Sequence, residues 1–166
     1  MRCMSLSPVP TVEEARYASV DEPITARVVL AAFAGGLAGL VAMAPVVAGV
    51  PLVLGVFEVD PLLEVIPLVD GTPLVGVLVF ALGGVFALPL FFVVTATFLP
   101  PREPRWARGV TMSTLFWVTF LYLFWPGGDA LTDAVFLVVT LVGHWLYGVV
   151  LGVVTHTLTG IPEHDV

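Results

Sequence analysis

Residues 131–160, LTDAVFLVVTLVGHWLYGVVLGVVTHTLTG, hold one acid near their start and no lysine or arginine. About 20 apolar residues suffice to cross the hydrocarbon core of a bilayer. This stretch therefore predicts a membrane-crossing helix. Wound at 100° per residue, it places Asp133, Thr140, His144, Gly148 and Thr155 on one stripe, with Tyr147 and Gly152 at its edges. Val135, Val139, Val142, Leu146, Val149, Val150 and Val153 fall opposite. The first stripe predicts a protein-facing surface and the second a lipid-facing one.

Three further apolar runs accompany it. The chain is 58% hydrophobic and only 11% charged, whereas a soluble domain is about 25% charged. The expected fold is an all-α integral membrane four-helix bundle, with spans at about 25–47, 74–98, 107–125 and 131–158. Together they make one membrane domain over residues 24–160. Residues 1–23, with Pro8, Pro10, Pro23 and four acids, read as a polar tail. Residues 161–166 form a second short tail. The start lacks the basic-then-apolar plan of a signal peptide, so the first apolar run reads as a retained helix.

Each span carries its own packing signal. In the first, Ala31, Ala32, Gly35, Ala38, Gly39 and Ala42 share a face, and small residues four apart let helices approach closely in lipid. Pro45 is expected to kink or end this helix. In the second, Gly76, Gly83, Ala87 and Val94 read as the packing stripe, with a bend at Pro89. The third is aromatic-rich, and Trp106 and Trp125 bracket it as an interfacial belt would. Residues 49–73 hold four prolines and four acids. They read as an interfacial segment with a short amphipathic helix near 61–66.

All six basic residues are arginine, set against thirteen acids. An acidic, lysine-free wet surface suits molar salt and points to a halophilic archaeon. No nucleic-acid partner is expected. Arg2, Arg16 and Arg27 precede or open the first span, and Arg102, Arg105 and Arg108 lie between the second and third. The positive-inside rule then puts both termini in the cytoplasm of a multi-pass plasma-membrane protein. Cys3 is the one cysteine and cannot form an internal disulfide.

The runs AGGLAGLVAMAP, VFALGGVFALPLFFVVTATFLP, ARGVTMSTLFWVTF and HWLYGVVLGVV resemble a family of small four-helix membrane proteins widespread in haloarchaea. The resemblance covers most of residues 28–155, with His144, Tyr147, Gly148 and Gly152 as the best-matching positions. It implies that some members accompany haem–copper terminal oxidases. It supplies no catalytic residues.

Chemistry-bearing groups are few. His144 is costly in lipid and reads as a haem or metal ligand, as part of a proton relay, or as a neutral donor to a neighbouring helix. The last reading is preferred, because the first three spans contain no histidine to complete a bis-histidine site. Met43, Met112 or a second copy's His144 would have to serve instead. His156 and His164 read as interfacial. Gly148 and Gly152 form a GxxxG pair, for a dimer face or for the bundle itself. Thr111, Thr114, Thr119 and Thr140 either line a wet path or bond back to their own helices. Glu58, Asp60, Glu64 and Asp70 offer oxygen ligands for a divalent cation, but acidic solvation is the simpler reading. Nucleophile, P-loop and dinucleotide signatures are absent.

The expectation is therefore a non-catalytic membrane protein without a resident cofactor. It would act as an accessory or assembly subunit of a larger complex such as a respiratory oxidase, contacting lipid and either a membrane-protein partner or further copies of itself. A haem-binding electron carrier using His144, or a small oligomeric channel, are the alternatives. The candidate packing residues are Gly35, Gly39, Gly83, Ala87, Gly148 and Gly152. The candidate polar stripe is Thr140, His144, Tyr147 and Thr155.

Overall fold

The structure is a computed structural model that describes residues 24–56 and 73–161. The terminal tails, the acids of residues 57–70, the short helix expected near 61–66, Cys3 and His164 lie outside the described residues. Among those described, the chain is all-helical. The helices are α1 (Ala26–Ala44), α2 (Val50–Leu54), α3 (Pro73–Leu82), α4 (Leu88–Thr95), α5 (Arg108–Phe124) and α6 (Ala130–Thr159). They build four apolar spans: Ala26–Leu54, Val75–Phe98, Arg105–Phe124 and Ala130–Thr159. All four are long and apolar enough to cross a bilayer.

Two spans carry a π turn, and both turns answer a proline. Pro45–Gly49 joins α1 to α2, and Gly83–Ala87 joins α3 to α4. Each ends two residues before a buried proline, Pro51 or Pro89. A proline inside a regular α-helix lacks a donor, and its ring meets the carbonyl four residues back. One extra residue in the preceding turn relieves that clash. The first span therefore does not stop near residue 47 but runs to Leu54. Residues 49–54, expected in the interfacial segment, are helical. Gly55 at φ 72° ends the span, with Gly55 N–H bonded to Leu52 O at 3.2 Å and Val56 N–H to Pro51 O at 3.0 Å.

The fourth span begins where Asp129 caps it. Asp129 Oδ1 accepts from Leu131 N–H at 3.0 Å and Thr132 N–H at 2.8 Å. These bonds, led by the one from the Thr132 backbone, hold its carboxyl below the usual aspartate range. Asp133 reaches back to Gly128 N–H at 3.2 Å.

α6 is the central helix and packs along both α1 and α5. Against α1 it runs antiparallel. Gly35 lies on Leu151, Gly39 on Tyr147, and Gly143 on Met43 and Val47. Arg27 closes the series by donating to Leu158 O at 3.1 Å. α1 packs in turn on α4 and on the π turn before it. Edge-to-face ring pairs, Phe91–Phe116 at 5.3 Å and Phe80–Phe120 at 6.4 Å, join the second span to the third. The core holds Met43, Phe92, Ala96, Met112, Tyr147, Leu151 and Ile161. In lipid such a core gains little from hydrophobicity, because acyl chains are as apolar as leucine. Close packing and interhelical hydrogen bonds carry the association.

Arg27, Arg102, Arg105 and Arg108 sit at one end of the bundle, with the end of α6. Gly55, Trp125, Asp129 and Asp133 sit at the other.

Candidate functional site

The polar groups at bundle depth converge on α6. Thr140, His144, Tyr147 and Thr155 are all buried, at 4%, 7%, 3% and 0% exposure. Gly143, Gly148, Leu151 and Gly152 are buried beside them. Val139, assigned by its angular position to the lipid face, is buried as well, at 7%. The reason is that α6 has neighbours on two sides, so its buried face is wider than one stripe.

Three groups tie α6 to other helices. Trp117 Nε1 donates to Thr140 Oγ1 at 3.0 Å, and Thr140 Oγ1 donates to Phe136 O at 2.6 Å. Trp145 Nε1 donates to Thr114 Oγ1 at 3.1 Å. Tyr147 Oη donates to Gly84 O at 2.6 Å. The last bond has a sequence origin. Within the π turn Leu88 N–H bonds to Gly83 O, five residues back. The next donor in that register would be residue 89, which is proline and has no N–H. Gly84 O is thus left without a backbone partner, and the Tyr147 hydroxyl takes it.

His144 Nδ1 lies 2.7 Å from Thr140 O. A carbonyl only accepts, so Nδ1 carries a proton, and in the neutral ring Nε2 keeps its lone pair. The ring packs at 5.1 Å from the Phe120 ring, which is also stacked on Phe124 and Phe136. Met43 and Met112 belong to the apolar core with Tyr147 and Leu151. His156 is exposed near the end of α6. No group of three or more histidine, cysteine or acidic side chains comes together among the described residues.

Of the GxxxG pair, Gly148 faces α5 and Gly152 the short turn of residues Arg105–Ala107 that leads into it. A Cβ on Gly148 would meet Ser113 Oγ and Gly109 O, and one on Gly152 would meet Trp106 O. Gly109 in turn lies on Gly148 O. Gly35 and Gly39 face α6, where a Cβ would come within 3.1 Å of Leu151 and 2.7 Å of Tyr147. Gly83 and Ala87, expected on the packing stripe of the second span, are not on it. A Cβ on Gly83 would meet nothing within 4 Å, and Ala87 is exposed. Gly84 packs instead, where a Cβ would come within 3.0 Å of three Leu40 side-chain carbons, and a Cβ on Gly36 would meet Pro89 and Gly84 O. The π turn inserts one residue and rotates the stripe by about 100°. Gly36 and Gly84 were the packing positions that helical periodicity missed.

Of the four threonines considered for a wet path, Thr114, Thr119 and Thr140 donate to the carbonyl one turn earlier, at 2.8, 3.4 and 2.6 Å. Thr111 donates instead to Pro100 O at 2.6 Å. Beside it Arg108, 3% exposed, donates to Pro101 O at 3.1 Å and Arg102 O at 3.2 Å. The turn between the second and third spans is thereby held against the start of α5.

A family model described as a family of unknown function, DUF6789, matches residues 26–166. No curated protein and no solved structure matches the chain.

Proposed function

We propose that this chain, which belongs to the DUF6789 family of unknown function, is a non-catalytic four-span membrane protein that serves as an accessory or assembly subunit of a larger membrane complex. The observation that supports this most is the use of its polar groups at membrane depth. Trp117, Thr140, Trp145 and Tyr147 join helix to helix within the bundle. Polar side chains arranged this way fix a rigid shape, and a rigid apolar shape is what docking to another membrane protein requires. The resemblance to haloarchaeal proteins that accompany terminal oxidases makes a respiratory complex the first candidate, in a halophilic cell. The shared position of Arg27, Arg102, Arg105 and Arg108 at one end supports a topology with both termini cytoplasmic.

The test is purification of the tagged protein from its native membranes, in mild detergent and high salt. Stoichiometric recovery of respiratory subunits supports the reading, and recovery of the protein alone overturns it.

A second reading rests on His144. Its Nδ1–H donates to a carbonyl, which in the neutral ring leaves Nε2 as a lone pair, the arrangement seen in metal-ligating imidazoles. A haem-binding carrier would show a haem absorption band that His144→Ala abolishes. Preparations that retain haem in other membrane proteins but show none here would eliminate it.

A further inference from the structure

One acceptor on α6 is both unpaired and reachable. His144 spends its Nδ1–H on Thr140 O, and in the neutral ring its Nε2 lone pair meets no donor among the described residues. Thr97 Oγ1, Arg108 Nη1, Ser113 Oγ and Thr155 Oγ1 are unpaired too, but they are closed off from any molecule the size of water. His144 Nε2 is not closed off, although the residue is only 7% exposed. It stands midway along α6, at a depth where lipid supplies no water, so an unmet acceptor there is costly. Thr140, one turn away, is already taken by Trp117.

The imidazole lies at the inner end of an aromatic column. From the Asp129 end of the bundle inwards, Trp125 meets Phe136 at 6.0 Å, Phe136 stacks on Phe120 at 5.9 Å, and Phe120 meets His144 at 5.1 Å. Phe124 stacks on Phe120 at 4.5 Å. Phe120, Phe124 and Phe136 are half-buried and Trp125 is 45% exposed, so the column shows one face to the membrane. The second span does not close that face. Its outer half, α3, packs closely only on the π turn it leads into, and reaches the column through Phe80, 6.4 Å from Phe120.

Three features specify a ligand. The flat ring faces favour another flat ring. The lone pair needs a hydroxyl or N–H donor. The surroundings need a molecule that dissolves in the bilayer. A partner helix meets the second and third but not the first, because bulky rings hold a helix backbone away, and close approach in lipid uses small residues. We propose that the column binds the ring of a membrane-soluble quinol, with one ring hydroxyl donating to His144 Nε2 and the apolar tail in lipid. This is independent of the accessory-subunit reading. It competes with the haem reading for a single lone pair, and the experiment separates the two.

The test uses the full-length protein in neutral detergent and two probes, decylhydroquinone and its dimethyl ether, which has the same ring and tail but no donor. The melting temperature is followed as each is titrated in without oxygen. The expected result is an apparent affinity about tenfold higher for the hydroquinone, the scale of one hydrogen bond made away from water. His144→Phe keeps a ring against Phe120 and removes the lone pair, so the preference should vanish. Phe136→Leu should weaken both probes alike. Tyr122→Phe, which removes a hydroxyl from a residue 89% exposed on α5, should keep the preference. Equal responses of the wild type to the two probes would overturn the proposal whether or not His144→Phe folds, and so would a preference that survives in His144→Phe. A haem absorption band that His144→Phe abolishes would assign the lone pair to iron and overturn it as well.

Discussion

The Tyr147 hydroxyl and the Gly84 carbonyl, 63 residues apart in sequence, meet at 2.6 Å inside the bundle. The bond exists because Pro89 cannot donate to that carbonyl. A buried carbonyl with no partner in lipid is expensive, so the phenol stands in for a missing backbone N–H.

Tyr147→Phe should therefore destabilise the protein by roughly 1 kcal/mol, within the range measured for interhelical hydrogen bonds in membranes. The informative measurement is the double-mutant cycle with Pro89→Ala, read by denaturation in mixed micelles. Pro89→Ala restores an N–H for the Gly84 carbonyl. In that background the cost of Tyr147→Phe should shrink. An undiminished cost would mean that the ring's packing, and not its hydroxyl, is what matters.

The glycines give a sharper contrast. Gly148 lies where a Cβ would meet Ser113 Oγ and sit 2.5 Å from Gly109 O, so an added methyl must push two backbones apart. Gly148→Ala should cost about 1–3 kcal/mol or more. A Cβ on Gly83 would meet nothing within 4 Å, and Gly83→Ala should stabilise by roughly 0.5–1 kcal/mol through the lower entropy of its unfolded chain. Thermal unfolding of the two variants in one detergent checks both. If the two melted alike, the packing of α5 on α6 described above would be wrong.

These two positions also show how far the sequence could be read. The four spans were legible because length and apolar content alone decide them. The small-residue face of α1 was legible because α1 is a regular helix as far as Ala44. Gly83 and Ala87 were misplaced because a proline announces that the helical register must break, yet does not say whether by a kink or by an inserted residue. Gly84 went unread for the same reason, whereas Gly36 went unread because it meets a second neighbour, Pro89 and Gly84 O of the second span, that the period of α1 alone does not announce. The direction of the Thr140, His144 and Tyr147 stripe followed from the 3.6-residue period. Its partners, Trp117 on α5 and a carbonyl on the second span, belong to other helices and leave no trace in local sequence.

The Trp117–Thr140 bond joins α5 to α6 near mid-bundle at 3.0 Å. Thr140→Val keeps the shape, removes the acceptor and leaves the indole N–H without a partner. We expect a loss of about 0.5–1.5 kcal/mol. Trp117→Phe in the Thr140→Val background should add less than it does alone, because the hydrogen bond is already gone. Strict additivity of the two substitutions would show that the bond contributes nothing to stability.

Asp129 supplies a prediction in pH. Its carboxyl is held below the ordinary aspartate range chiefly by the Thr132 backbone N–H, then by the Thr132 side chain, with a smaller contribution from Leu131 N–H. An acid whose folded pKa lies below its unfolded one stabilises the fold when ionised. That contribution is complete above the unfolded value of about 4, and it is lost as pH falls through the lowered folded value. Asp129→Ala should therefore melt below the wild type at pH 7, and the gap should close on acidification below about pH 4. Asp129→Asn, which still caps the helix but carries no charge, should show a smaller gap at pH 7, and that gap should narrow on acidification by the same amount, because it is the wild type that titrates. Melting curves of the three proteins from neutral to acid pH decide this. A gap between wild type and Asp129→Ala that persists unchanged in acid would assign the cap to the shape of the turn rather than to the ionised carboxylate.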